Sequence, residues 1–161
     1  MATASTLQYL ESSDSAGTSY GVTPSNRRVV ETFIASGAIA QGAWVSLDLG
    51  KSADGDKSLF VVEADTNEAG DPEAVIGVAI EGGAAAAGDR VQVQIAGLVD
   101  AKVDGSSPNI AIGDALFAST AAGVAVALTD ATGGNVKGVI GTACEAASGA
   151  TTVLCLITRK F

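Results

Sequence analysis

Gly83 and Gly88 in the stretch Gly82-Gly-Ala-Ala-Ala-Ala-Gly-Asp-Arg90 are separated by four residues, the glycine spacing of a phosphate-binding P-loop. That chemistry needs a lysine after the second glycine to meet the phosphates, then a serine or threonine for magnesium. It also needs a helix whose amino terminus faces the anion. Here Asp89 and Arg90 stand in those places, and an aspartate repels a phosphate. The segment that follows is patterned as a strand. The stretch therefore reads as a glycine-bounded hairpin loop, and Glu145-Ala-Ala-Ser-Gly-Ala150 occupies the matching place later in the chain.

Other chemistries find little material. The chain has no histidine, which excludes Ser-His and Cys-His pairs, and it has no Ser-x-x-Lys or Asp-Thr/Ser-Gly signature. Acidic residues concentrate at Asp48, Asp54, Asp56, Glu63, Asp65, Glu68, Asp71 and Glu73, opposed in that window by Lys51 and Lys57. The expected role is a solvated face, with a cation site as the alternative. Asp54-Gly55-Asp56 lacks the later glycine and the bidentate glutamate of a calcium loop. Cys144 and Cys155 lie in apolar strand-like runs and are expected as buried free thiols, with a bridge between them as the second reading. No catalytic, cofactor-binding or metal-ligating residue is assigned, and an enzyme is not expected.

The charge balance narrows the partners. Eighteen acidic residues against nine basic ones give a net charge of −9, and the only basic pairs are Arg27-Arg28 and Arg159-Lys160. Such a chain repels phosphate backbones, so direct nucleic-acid binding is not expected. The stretch MATASTLQYLESSDS has neither a basic n-region nor an apolar h-region, and no apolar run reaches the roughly 20 residues that cross a bilayer. Neither export by the general secretory route nor a membrane partner is expected.

Composition and periodicity describe the scaffold. Aromatic residues make up 4% of the chain and 20 glycines stand against 3 prolines, a balance that favours short strands with tight turns over long helices. Residues 1–28 sustain no period: Leu7, Tyr9, Leu10, Tyr20 and Val22 are irregularly spaced and Pro24 closes the segment. They read as an extended arm. Beyond it, strands are expected at Val29–Ile34, Ala43–Leu49, Leu59–Val62 and Ala74–Ile80. Over Val91–Val103 every odd position is apolar or glycine, while Gln92, Gln94, Asp100 and Lys102 take even ones, which predicts a long strand with one wet face, bent at Gly97.

The pattern then recurs. Ile39-Ala-Gln-Gly42 before Trp44-Val45 matches Ile110-Ala-Ile-Gly113 before Leu116-Phe117, and Leu59–Val62 matches Val124–Ala127. Ile76-Gly-Val78 matches Lys137-Gly-Val139, and Val91, Val93 and Ile95 match Val153, Cys155 and Ile157. The expected fold is all-β: a compact β-barrel or sandwich over 29–161, built from two similar four-strand halves at about 38–103 and 109–158.

On these residues the chain resembles the capsid decoration, or cement, proteins of tailed bacteriophages. The resemblance is carried by Ala40-Gln-Gly-Ala-Trp-Val45, Val75-Ile-Gly-Val-Ala79, Ala87-Gly-Asp-Arg-Val-Gln-Val93, Ala96-Gly97, Ile112-Gly-Asp114 and Gly138-Val-Ile-Gly141. It implies a trimeric virion protein, made in the host cytoplasm, that binds the major capsid protein on the outside of an icosahedral head and stabilises it. It implies no active site and no cofactor. The arm, through Leu7, Tyr9, Leu10, Tyr20, Val22 and Pro24, is the expected contact with the capsid or a neighbouring copy. The alternative is a glycan- or receptor-binding β-sandwich module of a virion fibre.

Overall fold

The computed structural model describes residues 28–65, 74–127 and 138–157. Leu7, Tyr9, Leu10, Tyr20, Val22 and Pro24, the residues expected to make the arm's contacts, lie outside them.

Nine strands and one four-residue helix follow in order: β1 (Val29–Ala35), β2 (Trp44–Leu47), α1 (Asp54–Lys57), β3 (Phe60–Glu63), β4 (Val75–Ile80), β5 (Arg90–Asp104), β6 (Ala115–Ala118), β7 (Ala125–Ala127), β8 (Gly141–Ala143) and β9 (Ala150–Ile157). The all-β class expected from the composition is what forms. Pairing closes the strands into two small rings. In the first, β1 pairs with β3, β3 with β2, β2 with β4, β4 with β5, and β5 returns to β1. In the second, β5 pairs with β7, β7 with β6, β6 with β8, β8 with β9, and β9 returns to β5. Both rings carry one parallel pairing, β1 with β3 and β5 with β7, at the same place in the circuit. Closure leaves no unpaired edge in either ring, which short strands of this kind need for stability.

The two four-strand halves expected are β2 to β5 and β6 to β9, and each ring is completed by a fifth strand, β1 in the first and the shared β5 in the second. Its Val29-to-Ile34 partners pair with Arg90–Ala96, whereas β9 pairs with Gly97–Asp104. The boundary falls at Gly97, whose φ of 95° places it in the left-handed region that glycine adopts freely. The strand bends there, as the sequence pattern predicts, and one half of it faces each ring.

The register also corrects the repeat by one residue. The isolated bridge Ile39–Ala84 recurs as Ile110–Ala147. Trp44 lies opposite Val78 and Val45 opposite Gly77, while Ala115 lies opposite Thr142 and Leu116 opposite Gly141. So Trp44 matches Ala115, and Val45 matches Leu116. In the same way Val61 matches Ala125, whereas Gly77 matches Gly141, three residues beyond the Gly138 expected. A one-residue slip in a strand sends each side chain to the opposite face, so the distinction decides which residues are interior.

Inside the first ring Ala35, Ile39, Val45, Val61, Ala79, Val91, Val93 and Ile95 form one buried cluster. Inside the second, Ile110, Leu116, Ala125, Ala143, Val153, Cys155 and Ile157 form another, with Cys155 in the place of Val93. Small and β-branched side chains fill these narrow rings without strain, which accounts for the alanine- and valine-rich composition. Trp44, Ala64, Val75 and Val78 belong to the first ring by sequence yet join the second cluster. They are the seam between the rings.

Candidate functional site

The loop Glu81–Asp89 joins β4 to β5 as a turn. Gly83 has a φ of 69°, and a Cβ there would come within 2.1 Å of the carbonyl oxygen of Ile39, so the loop lies directly on that segment. The backbone N–H groups of Ala85 and Ala86 donate to Oδ2 of Asp89 at 3.1 and 2.9 Å. In a P-loop such amides wait for an incoming phosphate. Here the carboxylate of the loop itself takes them, and no helix follows. Asp114 plays a similar part in the Ile110–Asp114 turn, where Oδ2 accepts from the N–H of Ala111 at 2.8 Å. Glu145, at the start of the matching loop of the second ring, accepts from the N–H of Leu154 at 3.1 Å.

The acidic window is spent in a comparable way. Asp48 accepts from the hydroxyl of Ser36 at 2.6 Å and from the N–H of Gly50 at 3.1 Å, and Lys51 lies 3.5 Å away. The Ser36 hydrogen bond, helped by Gly50 and Lys51 against partial burial, holds the Asp48 carboxyl below the usual range. Asp54 pairs with Lys57 at 3.0 Å on the single helical turn, and Oε1 of Glu63 accepts from the N–H of Ala40 at 2.8 Å. Glu68, Asp71 and Glu73 lie outside the described residues. Among the described residues no three His, Cys, Asp or Glu side chains gather so as to hold a metal ion. Asp104, partly exposed, is likewise held low by the side chain and N–H of Ser106.

Both cysteines are free. Cys155 is buried in the second ring, and burial, reinforced by Cys144, Asp100 and Glu145, pushes its thiol up to about 12. Cys144 is only half-buried, which corrects the expectation of two buried thiols. It directly follows β8, where only one side of the chain faces the ring interior.

The most constrained arrangement is the seam. The indole N–H of Trp44 donates to the carbonyl of Lys102 at 3.1 Å, and its Cη2 lies where a Cβ on Gly141 would come within 2.9 Å. Around it the backbones of the two rings interlock: Lys102 N–H to Gly42 C=O at 2.8 Å, Trp44 N–H to Gly123 C=O at 3.0 Å, and Gly123 N–H to Ala64 C=O at 2.9 Å. Gln94, expected on the wet face of β5, is also buried at this level. Its Nε2 donates to the carbonyls of Ala96 at 3.1 Å and Leu98 at 2.7 Å, so the bend at Gly97 satisfies the amide that the seam covers. No sequence period marks Gln94 as special. Trp44 could have been noticed as a large aromatic on the polar side of an alternating strand.

Two open grooves flank the seam. One, of about 370 Å³, is lined by Lys102, Asp104, Ala121, Val124, Thr151 and Thr152. The other, of about 260 Å³, is lined by Arg28, Gln41, Gln94, Leu98, Asp100 and Leu154 among others. Among the described residues no aromatic side chain lines either. Trp44 is fully buried, and Phe60 lies beneath the ammonium of Lys51, 4.5 Å from the ring centre. The stacking platform that a sugar-binding site commonly uses is not found in these grooves.

No protein-family model matches the chain, and no curated protein sequence matches it. Among solved structures it is similar to one titled as the head fiber gp8.5 N base in bacteriophage phi29, with a TM-score of 0.52 and 22% sequence identity. The match covers 82% of this chain and 95% of that one. At that identity the likeness is one of fold, and it takes in nearly the whole of the fibre base: the chain has the fold of that base.

Proposed function

We propose that this chain is a structural protein of a bacteriophage virion, bound to the outer surface of an icosahedral head, which it braces as a decoration protein. The observation that carries the reading is the fold shared with the phi29 head fiber base over 82% of this chain. The partners are the major capsid protein and further copies of the chain, as a homotrimer. Each subunit of such a coat makes modest contacts, and repetition over a symmetric lattice adds them up. The site residues fit a passive role. The carboxylates of Asp48, Glu63, Asp89, Asp114 and Glu145 hold neighbouring loops and strands, and no reaction is assigned to them. A net charge of −9 suits an exposed surface that must not capture nucleic acid.

The test is to add purified protein to expanded heads that lack it, sediment them, and heat them. Co-sedimentation with a raised disruption temperature is expected. Heads that neither bind the protein nor gain stability would overturn the proposal. Repeating the binding with residues 1–28 removed asks whether Leu7, Tyr9, Leu10, Tyr20, Val22 and Pro24 contribute contacts.

The fibre in the neighbour's title supports a second reading, a base or attachment module of a head fibre. A glycan-array signal without capsid binding would favour attachment. Capsid binding without stabilisation would favour a fibre base.

A further inference from the structure

The closure of the first ring uses only the end of β1. Ile34 and Ala35 lie opposite Phe60 and Val61 of β3, and Val29–Phe33 run on past that point with β5 along one side. Two hydrogen bonds fix which way the backbone of this overhang faces. The N–H of Ala35 donates to the carbonyl of Asp89, just ahead of β5, at 2.8 Å, whereas the N–H of Ile34 donates to that of Leu59, just ahead of β3, at 3.0 Å. Backbone groups alternate sides along a strand. Glu31 and Phe33 therefore turn theirs to β5, and Val30 and Thr32 turn theirs away from it. The irregularity in register falls between Val29 and Val30, ahead of this stretch, so the alternation holds through it.

Nothing among the described residues takes the N–H and C=O groups of Val30 and Thr32 on that side. Glu31 and Thr32 are exposed, and Val30 is half-buried. The stretch Val29-Val-Glu-Thr-Phe33 is rich in β-branched and aromatic residues, and it has neither the proline nor the lysine that commonly guards an edge. It is an open place for one more strand.

We infer that this overhang receives an extended polypeptide segment of the capsid shell, which adds to the first ring as a strand beside β1. The backbone decides the class of the partner, because amides and carbonyls at strand spacing are matched by another extended backbone and not by a phosphate chain or a lipid surface. Charge narrows it further. Glu31 makes no ion pair among the described residues, so the incoming strand fits with a lysine or arginine beside it. A second copy is the poorer occupant, because two such edges laid antiparallel bring Glu31 against Glu31. The inference rests on the capsid binding in the proposed function and names the element that makes it.

The experiment has two parts, both on the full chain. Amide hydrogen exchange followed by NMR on the free protein is expected to find Val30 and Thr32 exchanging at least about tenfold faster than Glu31 and Phe33. Equal protection of these amides would mean that the edge is already covered, by another part of the chain or by a second copy, and would overturn the inference. The second part measures binding to expanded heads that lack the protein. Thr32→Pro removes an outward N–H from the edge of a strand, where a sheet tolerates proline, and Glu31→Lys reverses the charge without touching the backbone. Each variant is expected to bind at least about tenfold more weakly than wild type while keeping the wild-type β-sheet circular dichroism. Where Thr32→Pro loses that circular dichroism, Glu31→Lys decides alone. Undiminished binding by a folded variant overturns this contact and leaves the proposed function standing. Wild type that fails to bind heads overturns both.

Discussion

Trp44 and Lys102 are joined across the two rings by a 3.1 Å hydrogen bond from the indole N–H to the backbone carbonyl, at a point where Gly141 leaves room for the indole edge. A large side chain anchored at both ends fixes how the rings sit against each other. Trp44→Ala removes this anchor and leaves a cavity, at an expected cost of about 3 to 5 kcal/mol. Trp44→Phe keeps most of the packing but strands the Lys102 carbonyl, at about 1 to 3 kcal/mol. Urea denaturation of the two variants checks the order.

The loop glycines separate two causes of destabilisation. Gly88 has a φ of 91° and open space around a would-be Cβ, so Gly88→Ala is expected to cost about 1 kcal/mol from the left-handed backbone alone. Gly83 has a positive φ too, but a Cβ would strike the Ile39 carbonyl and break the Ile39–Ala84 bridge. Gly83→Ala is expected to cost about 3 kcal/mol. Equal losses of stability in the two variants would contradict the close approach.

The thiols are expected to react at different rates. Cys144, half-buried, is alkylated in the folded protein near neutral pH, whereas Cys155 is protected until the second ring opens. Counting labelled cysteines by mass spectrometry against urea concentration checks this. Because the folded state holds the Cys155 proton up to about 12, against 9.0 unperturbed, its contribution is fully present below about pH 9 and is lost as the pH rises toward 12.

Asp48 gives the opposite pH dependence. Its carboxyl is held below its ordinary 3.8, so the stabilising contribution exists above that pH and is lost as acid protonates the folded state. Ser36→Ala removes the 2.6 Å hydrogen bond, at an expected cost of about 1 kcal/mol near neutral pH. The difference from wild type should shrink on acidification well below pH 3.8, which urea titrations at the two pH values measure.

The nucleotide reading of the glycine-spaced loop ends with Asp89. Its carboxylate already holds the N–H groups of Ala85 and Ala86. ATP with magnesium is expected to leave the melting temperature of the protein unchanged, and a rise that depends on ATP concentration would restore a binding role. Asp89→Asn weakens the loop by about 1 kcal/mol without creating such binding.

The sequence alone determined the local alternatives, because strand periodicity and turn chemistry are written in neighbouring residues. The odd-position run Val91–Val103 could only be a strand, Gly97 could only bend it, and the absence of histidine removed whole classes of catalysis. The recurrence of Ile39-Ala-Gln-Gly42 in Ile110-Ala-Ile-Gly113 marked a duplication. Tertiary structure decided where the repeats divide, since nothing local says that one strand is counted in two rings; only the pairing of β5 with β1 and then with β9 does. It also decided the fate of Trp44 and Gln94, which lie on the outward face of the first ring. Alternation along a strand distinguishes its two sides but cannot tell which side meets water once a second ring packs against the first. That is why the periodic pattern predicted a solvated Gln94, and why the residues that join the rings came into view only when the rings were closed.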